Sequence, residues 1–167
     1  MNLLFLFMLP LGMFSPFQET LRQILDPFTA NWRGEFKVYN FDGKLIDQLE
    51  VEQRYVWKGD EQYGVFTERQ RNGKVVRARA RNYEKDGRLV CEVEKDGGER
   101  TVHFGRFEGG ALFWYRQTPD GKITESFKER VVKTLAGREY QIDGLGIYKN
   151  AGSISILLFE GRYREVK

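Results

Sequence analysis

Turn signals recur at short intervals along this chain, and they constrain its fold more than any other feature. Asp42-Gly43, Asn72-Gly73, Asp86-Gly87, Gly97-Gly98, Gly109-Gly110, Pro119-Asp120-Gly121 and Asn150-Ala151-Gly152 punctuate runs rich in Val, Ile, Phe, Tyr and Thr. Tight turns between short β-prone runs make consecutive antiparallel neighbours, a meander. About ten strands fit between Gly34 and Val166. So many strands leave two unpaired edges unless the sheet closes on itself. The expected fold is therefore all-β: an antiparallel up-and-down β-barrel with a short N-terminal helix. Glu19–Leu25 reads as that helix, stopped by Asp26-Pro27. No linker or change of composition divides residues 18–167, which read as a single barrel domain.

Residues 1–17 are a different material, an apolar leader running from Leu3 to Phe14. It is too short for a stable membrane span, which takes about 20 apolar residues. Its length suits a signal peptide cut near Ser15 to Gln18, and so an exported, periplasmic or secreted protein. Against this, no Lys or Arg precedes it and no Ala-x-Ala-like site follows. The alternative is an apolar arm packed on the domain, or a lipid-facing tail, which leaves a cytoplasmic location open.

Composition narrows the function classes. Among 167 residues, 27 basic and 24 acidic side chains leave a net charge of +3. Nucleic-acid binders concentrate positive charge far more strongly, so no nucleic-acid partner is expected. Cys91 is alone and His103 is the single histidine, which excludes an intrachain disulfide and clustered Cys/His metal sites. The glycines sit in hairpin turns and not in a phosphate-cradling loop before a helix. No cofactor and no metal is expected.

Turn lengths set the register, and register decides which face a side chain takes. With Asn72-Gly73 as a two-residue turn, Val65 and Thr67 share a face with Val76, Ala78 and Ala80. The same face continues through Leu89, Cys91 and Val93 to Val102, Phe104, Arg106, Phe113 and Tyr115. Being apolar, it is expected inside, and its alanines leave space. The other face carries Arg77, Arg79 and Arg81 beside Glu68, Glu94 and Glu92, an arrangement suited to a solvated sheet surface. His103 falls on that outer face near Glu92, and Trp114 lies opposite Gly105. A three-residue turn at Pro119-Asp120-Gly121 turns Ile123, Glu125, Phe127, Glu129 and Val131 inward, with Glu125 near Tyr115 and Glu129 near Ala111. Buried carboxylates need partners, which Arg69, Arg106, Tyr55 and Tyr140 could supply.

Phe28-Thr29-Ala30-Asn31-Trp32-Arg33-Gly34-Glu35-Phe36 resembles the first strand of the calycin superfamily, the lipocalin and fatty-acid-binding-protein-like β-barrels. Trp32 and Gly34 match its Gly-x-Trp-x-Gly pattern, while Ala30 stands where the first glycine would be. The resemblance implies a barrel plugged at its base by the helix and Trp32, with Arg162 or Arg164 packed over that indole. It also implies a small hydrophobic ligand inside. Two ligand types do not carry over. Arg162 and Tyr163 are adjacent where fatty-acid binders have Arg-x-Tyr, and no histidine follows His103 to hold haem.

The leading expectation is non-enzymatic binding of a small hydrophobic or amphipathic molecule. Tyr55, Trp57, Arg69, Phe104, Arg106, Phe113, Tyr115, Glu125, Phe127, Glu129 and Tyr140 are its candidate ligand-binding residues. Apolar walls with a few convergent polar groups are what ligand pockets typically have. Two alternatives stay open. One is an enzyme using Glu125 or Glu129 as acid or base, with Tyr115 and Arg106 polarising the substrate. The other is an interaction domain, or a homodimer, using Trp114, Phe107 and Leu112 on the outer face.

Overall fold

The computed structural model describes residues 19–167, so the apolar leader and the expected cleavage near Ser15 to Gln18 lie outside the described residues. A five-residue helix, α1 (Leu21–Leu25), opens on a Thr20–Gln23 capping box. A single 3-10 turn, Asp26–Phe28, follows it. Ten strands come next: β1 (Asn31–Asn40), β2 (Leu45–Lys58), β3 (Glu61–Gln70), β4 (Val75–Lys85), β5 (Arg88–Lys95), β6 (Arg100–Glu108), β7 (Ala111–Gln117), β8 (Ile123–Thr134), β9 (Gly137–Asn150) and β10 (Ser153–Val166). Each pairs with its neighbours in sequence, and β1 pairs with β10, so the barrel is closed and antiparallel. Among the described residues no helix is long and apolar enough to cross a membrane.

The helix and the 3-10 turn plug one end. Leu25 and Phe28 are buried there against Trp32 and Tyr140. Trp32 Nε1 donates to the Phe28 carbonyl at 2.8 Å, and Trp57 Nε1 donates to Asp26 at 2.7 Å. Gln62, wholly buried, donates to the Leu25 carbonyl and receives a bond from Asn82. The cation over Trp32 is Arg138 from β9, 5.4 Å from the ring, and it also reaches the Pro27 carbonyl and Glu165. This corrects the expected closure by Arg162 or Arg164. Those two alternate with the inward Gly161 and Tyr163, so they face out, and Arg162 pairs with Asp143.

Turn chemistry decides which faces point inward. At Asp86-Gly87 and Gly109-Gly110 both residues have positive φ, and each is the two-residue turn expected. At Asn72-Gly73 and Gly97-Gly98 only the second residue does. A single left-handed residue makes a three-residue loop with a bulge, not a two-residue mirror-image turn. Accordingly Gln70 N–H bonds the Lys74 carbonyl, and Lys95 N–H bonds the Glu99 carbonyl.

Each extra residue reverses a strand. On β3, Gly64, Phe66 and Glu68 point inward, while Val65, Thr67 and Arg69 point out. Across β6 and β7, His103, Gly105, Phe107, Leu112, Trp114 and Arg116 face the lumen. Val102, Phe104, Arg106, Phe113 and Tyr115 face solvent, correcting the expected assignment for all of these. Phe107, Leu112 and Trp114 are thereby removed from any outer interaction face. The loop before β8 is also one residue longer than expected, because Thr118 bonds Ile123 across Pro119–Lys122. That shift cancels the preceding reversal. Glu125, Phe127, Glu129 and Val131 face inward after all, with Glu125 opposite Arg116 and Glu129 opposite Leu112.

The strands β4 and β5 keep the expected parity. Ala78, Ala80 and Cys91 look inward, and Arg77, Arg79 and Arg81 look outward. Arg79 and Arg81 lie opposite Glu94 and Glu92, though Arg81 bonds Glu61 instead. Arg77 lies opposite Thr67, since Glu68 has turned in.

Glycines let aromatic rings lie flat against the inner wall. A Cβ at Gly105 would stand 2.4 Å from the Trp114 ring, and one at Gly144 would stand 2.5 Å from Phe127. Overpacking of this kind costs about 1–3 kcal/mol. Gly105→Ala is expected to lower stability within that range in urea unfolding. A neutral result would mean that Trp114 does not rest on Gly105.

Candidate functional site

The lumen holds a cavity of about 350 Å³. Its existence follows from the wall residues. Ala78 and Ala80 are short, and the rings of Tyr55, Trp114 and Phe127 are laid back on glycines. Phe36, Leu49, Val51, Phe66, Val93 and Ile142 complete the apolar lining. Near the mouth a row of rings crosses the wall: His103 meets Phe127 edge-on, Phe127 stacks on Phe159, and Phe159 stacks on Phe36.

Polar groups interrupt this lining at defined points. Gln53 and Asn82 are about as buried as the core, at 4% and 5% exposure. Gln53 Nε2 and Asn82 Oδ1 have no hydrogen-bond partner, and neither does His103 Nε2. Leaving a buried polar atom unpaired costs about 1–3 kcal/mol. Glu129 lines the same cavity, half-buried, and accepts a 2.7 Å bond from the Tyr140 hydroxyl. Burial pushes its carboxyl up from 4.5 to about 7, against the bond from Tyr140 and the pull of the Trp114 indole. Burial and the Glu129 charge together also push the Tyr55, Tyr140 and Tyr163 hydroxyls and the Cys91 thiol upward. Cys91 therefore stays a protonated thiol at neutral pH.

Direct cross-strand partners form one polar row, Gln62, Asn82, Cys91 and His103, and a second pair, Arg116 and Glu125, lies beyond it. There Glu125 accepts from the Tyr148 hydroxyl at 2.6 Å and lies 3.4 Å from Arg116. His103 Nε2 is 3.5 Å away, beyond a good hydrogen bond. Burial pushes the Glu125 carboxyl up, but His103, Tyr148 and Arg116 outweigh it and hold it below its ordinary value. Glu125 is thus a carboxylate beside a cation, whereas Glu129 accepts its hydrogen bond from a neutral hydroxyl. Glu68 also lines the cavity, raised by burial and opposed by Lys95.

The expected site residues divide by face. Tyr55, Phe127, Glu129 and Tyr140 line the cavity, and Glu125 sits beside it behind His103. Trp57 belongs to the base, bonded to Asp26 with Arg22 over its ring. Arg69, Phe104, Arg106, Phe113 and Tyr115 are outside, where Arg106 and Lys128 lie over Phe113. Sequence reasoning missed Gln53, Glu68, Asn82, Lys95 and Tyr163, and set His103 on the wrong face. The spacing Gly64-x-Phe66-x-Glu68 carried a usable signal, since glycine and an aromatic on one face suit a curved inner wall.

Among the described residues no group of three or more His, Cys, Asp and Glu is placed to hold a metal. No family model matches this chain, and no curated protein matches it in sequence. Among solved structures it is similar to an S-type phycobiliprotein lyase from Guillardia theta. The TM-score is 0.65 over 90% of this chain and 94% of that one, with 7% identity. A likeness at that identity is one of fold. What the two share is the architecture, here ten closed antiparallel strands with a helix-plugged base.

Proposed function

We propose that this protein is a non-enzymatic carrier or receptor that holds a small, largely apolar molecule in its lumen. One observation carries the reading: a largely apolar cavity is lined by Gln53 and Asn82, each of which keeps a buried polar atom unpaired among the described residues. A ligand supplying the missing hydrogen bonds would recover what these atoms cost the fold. The cavity, about 350 Å³, falls near the lower end of the range for ligand pockets, about 300–1,000 Å³. The ligand is accordingly compact. The lipocalin-like fold neighbour acts, by its name, on phycobiliproteins; from it this reading takes only the use of a barrel. The acid–base alternative loses its polarising groups, because Tyr115 and Arg106 lie on the opposite face from Glu125 and Glu129.

Titration with N-phenyl-1-naphthylamine, a neutral dye that brightens in apolar sites, tests the reading. A saturable one-site enhancement is expected. Ala78→Phe, which fills the cavity from its wall, is expected to weaken it by about tenfold or more while the melting transition stays cooperative. No saturable signal, or one unchanged by Ala78→Phe, would reject a lumenal site.

A further inference from the structure

The charge inside the lumen is unbalanced, and the imbalance says what a ligand must bring. Among the described residues the cavity is lined by two carboxyl groups, Glu68 and Glu129, and one ammonium, Lys95, with the imidazole of His103 beside them. Lys95 is already engaged, bridging Glu99 at 3.4 Å and facing Glu68. Among the described residues no cation forms an ion pair with Glu129. Around it are the neutral donors Tyr140 and Trp114, with Tyr55, Tyr163 and Cys91 beyond. A buried carboxylate without a cation is costly, and removing that cost needs a positive partner or a proton.

Asn82 adds a second acceptor to the lining of the same cavity. Both groups stand one side chain from the plug. Asn82 is linked through Gln62 to the Leu25 carbonyl, and Glu129 through Tyr140 to Phe28. They approach from different walls, and Cys91, directly opposite Asn82 in register, feels the Glu129 charge. The lower lumen thus presents a carboxyl and an unpaired amide oxygen, with Gln53 Nε2 as the unpaired donor.

We infer, resting on the lumenal binding proposed above, that the ligand is an organic base. Its amine or N–H-bearing ring nitrogen sits between Glu129 and the Asn82 carbonyl, with its apolar body against Phe66, Trp114 and Phe127. A carboxylate ligand such as a fatty acid would instead add a second negative charge to a water-poor site with no free cation to meet it.

Calorimetric titration at pH 8 with three compounds of one shape separates the possibilities: 1-naphthylmethylamine, 1-naphthylmethanol and 1-naphthoate. The amine is expected to bind about tenfold or more tighter than the alcohol, and the carboxylate about tenfold or more weaker. Glu129→Gln keeps an acceptor for Tyr140 and is expected to bring the amine within about threefold of the alcohol. Carboxylate binding equal to that of the amine would overturn the inference, as would an amine preference that survives Glu129→Gln. In both outcomes the lumenal site itself would stand. If none of the three compounds binds, the site fails and this inference fails with it.

Discussion

Trp32→Ala should be the most damaging single substitution in the barrel, lowering stability by about 3–5 kcal/mol. Trp32 is 1% exposed and closes the base against Tyr140, with ring centroids 5.5 Å apart. Truncation opens a cavity where three elements meet: the 3-10 turn, β1 and β9. It also leaves the Phe28 carbonyl without its donor and strips the ring from beneath Arg138. Trp32→Phe keeps part of the volume and loses only the bond and the second ring, so its cost should be clearly smaller. Urea unfolding followed by circular dichroism measures both. A loss below about 1 kcal/mol for Trp32→Ala would show that the plug does not hold the barrel closed.

Glu129→Gln should stabilise the protein, and by an amount that depends on pH. Burial raises the folded-state carboxyl to about 7 from an ordinary value of 4.5. A carboxyl whose folded value lies above its unfolded one favours the fold in its neutral form. That contribution is fully present below 4.5 and is lost as pH rises through 7. By pH 8 the wild type carries a penalty on the order of 3 kcal/mol that the neutral amide does not. Carboxyls shifted the other way, such as Glu61 and Glu92, titrate equally in both proteins and cancel in the difference. The stability gap between variant and wild type should therefore be small at pH 4.5 and widen by about that amount at pH 8. A gap independent of pH would mean that the Glu129 carboxyl is not desolvated as described.

The barrel was legible because meander, closure and helix plug follow from turn spacing, and turn residues are local signals. The inner face was harder, because a strand's parity depends on loop length to one residue. Asp86-Gly87 and Asn72-Gly73 look alike as dipeptides, yet Asp86 adopts φ of 52° whereas Asn72 stays at negative φ. That single difference moved Glu68 inside and Arg69 outside. The same mistake at Gly97-Gly98 set His103, Trp114 and Arg116 on the wrong side. Glu125, Phe127 and Glu129 were placed correctly only because the four-residue Pro119–Lys122 loop restored the parity. Gln53 and Asn82 carry no sequence signal of their own. A polar residue on a strand reads as solvated until the barrel closes over it.

Native mass spectrometry of the protein taken from its own source, beside Ala78→Phe made in the same host, bears most directly on whether the barrel is a container. The wild type should carry a discrete non-covalent mass that denaturation releases, and the cavity-filled variant should fly bare. A wild type that is folded and equally bare, or a variant retaining the same added mass, would contradict a ligand held in the lumen.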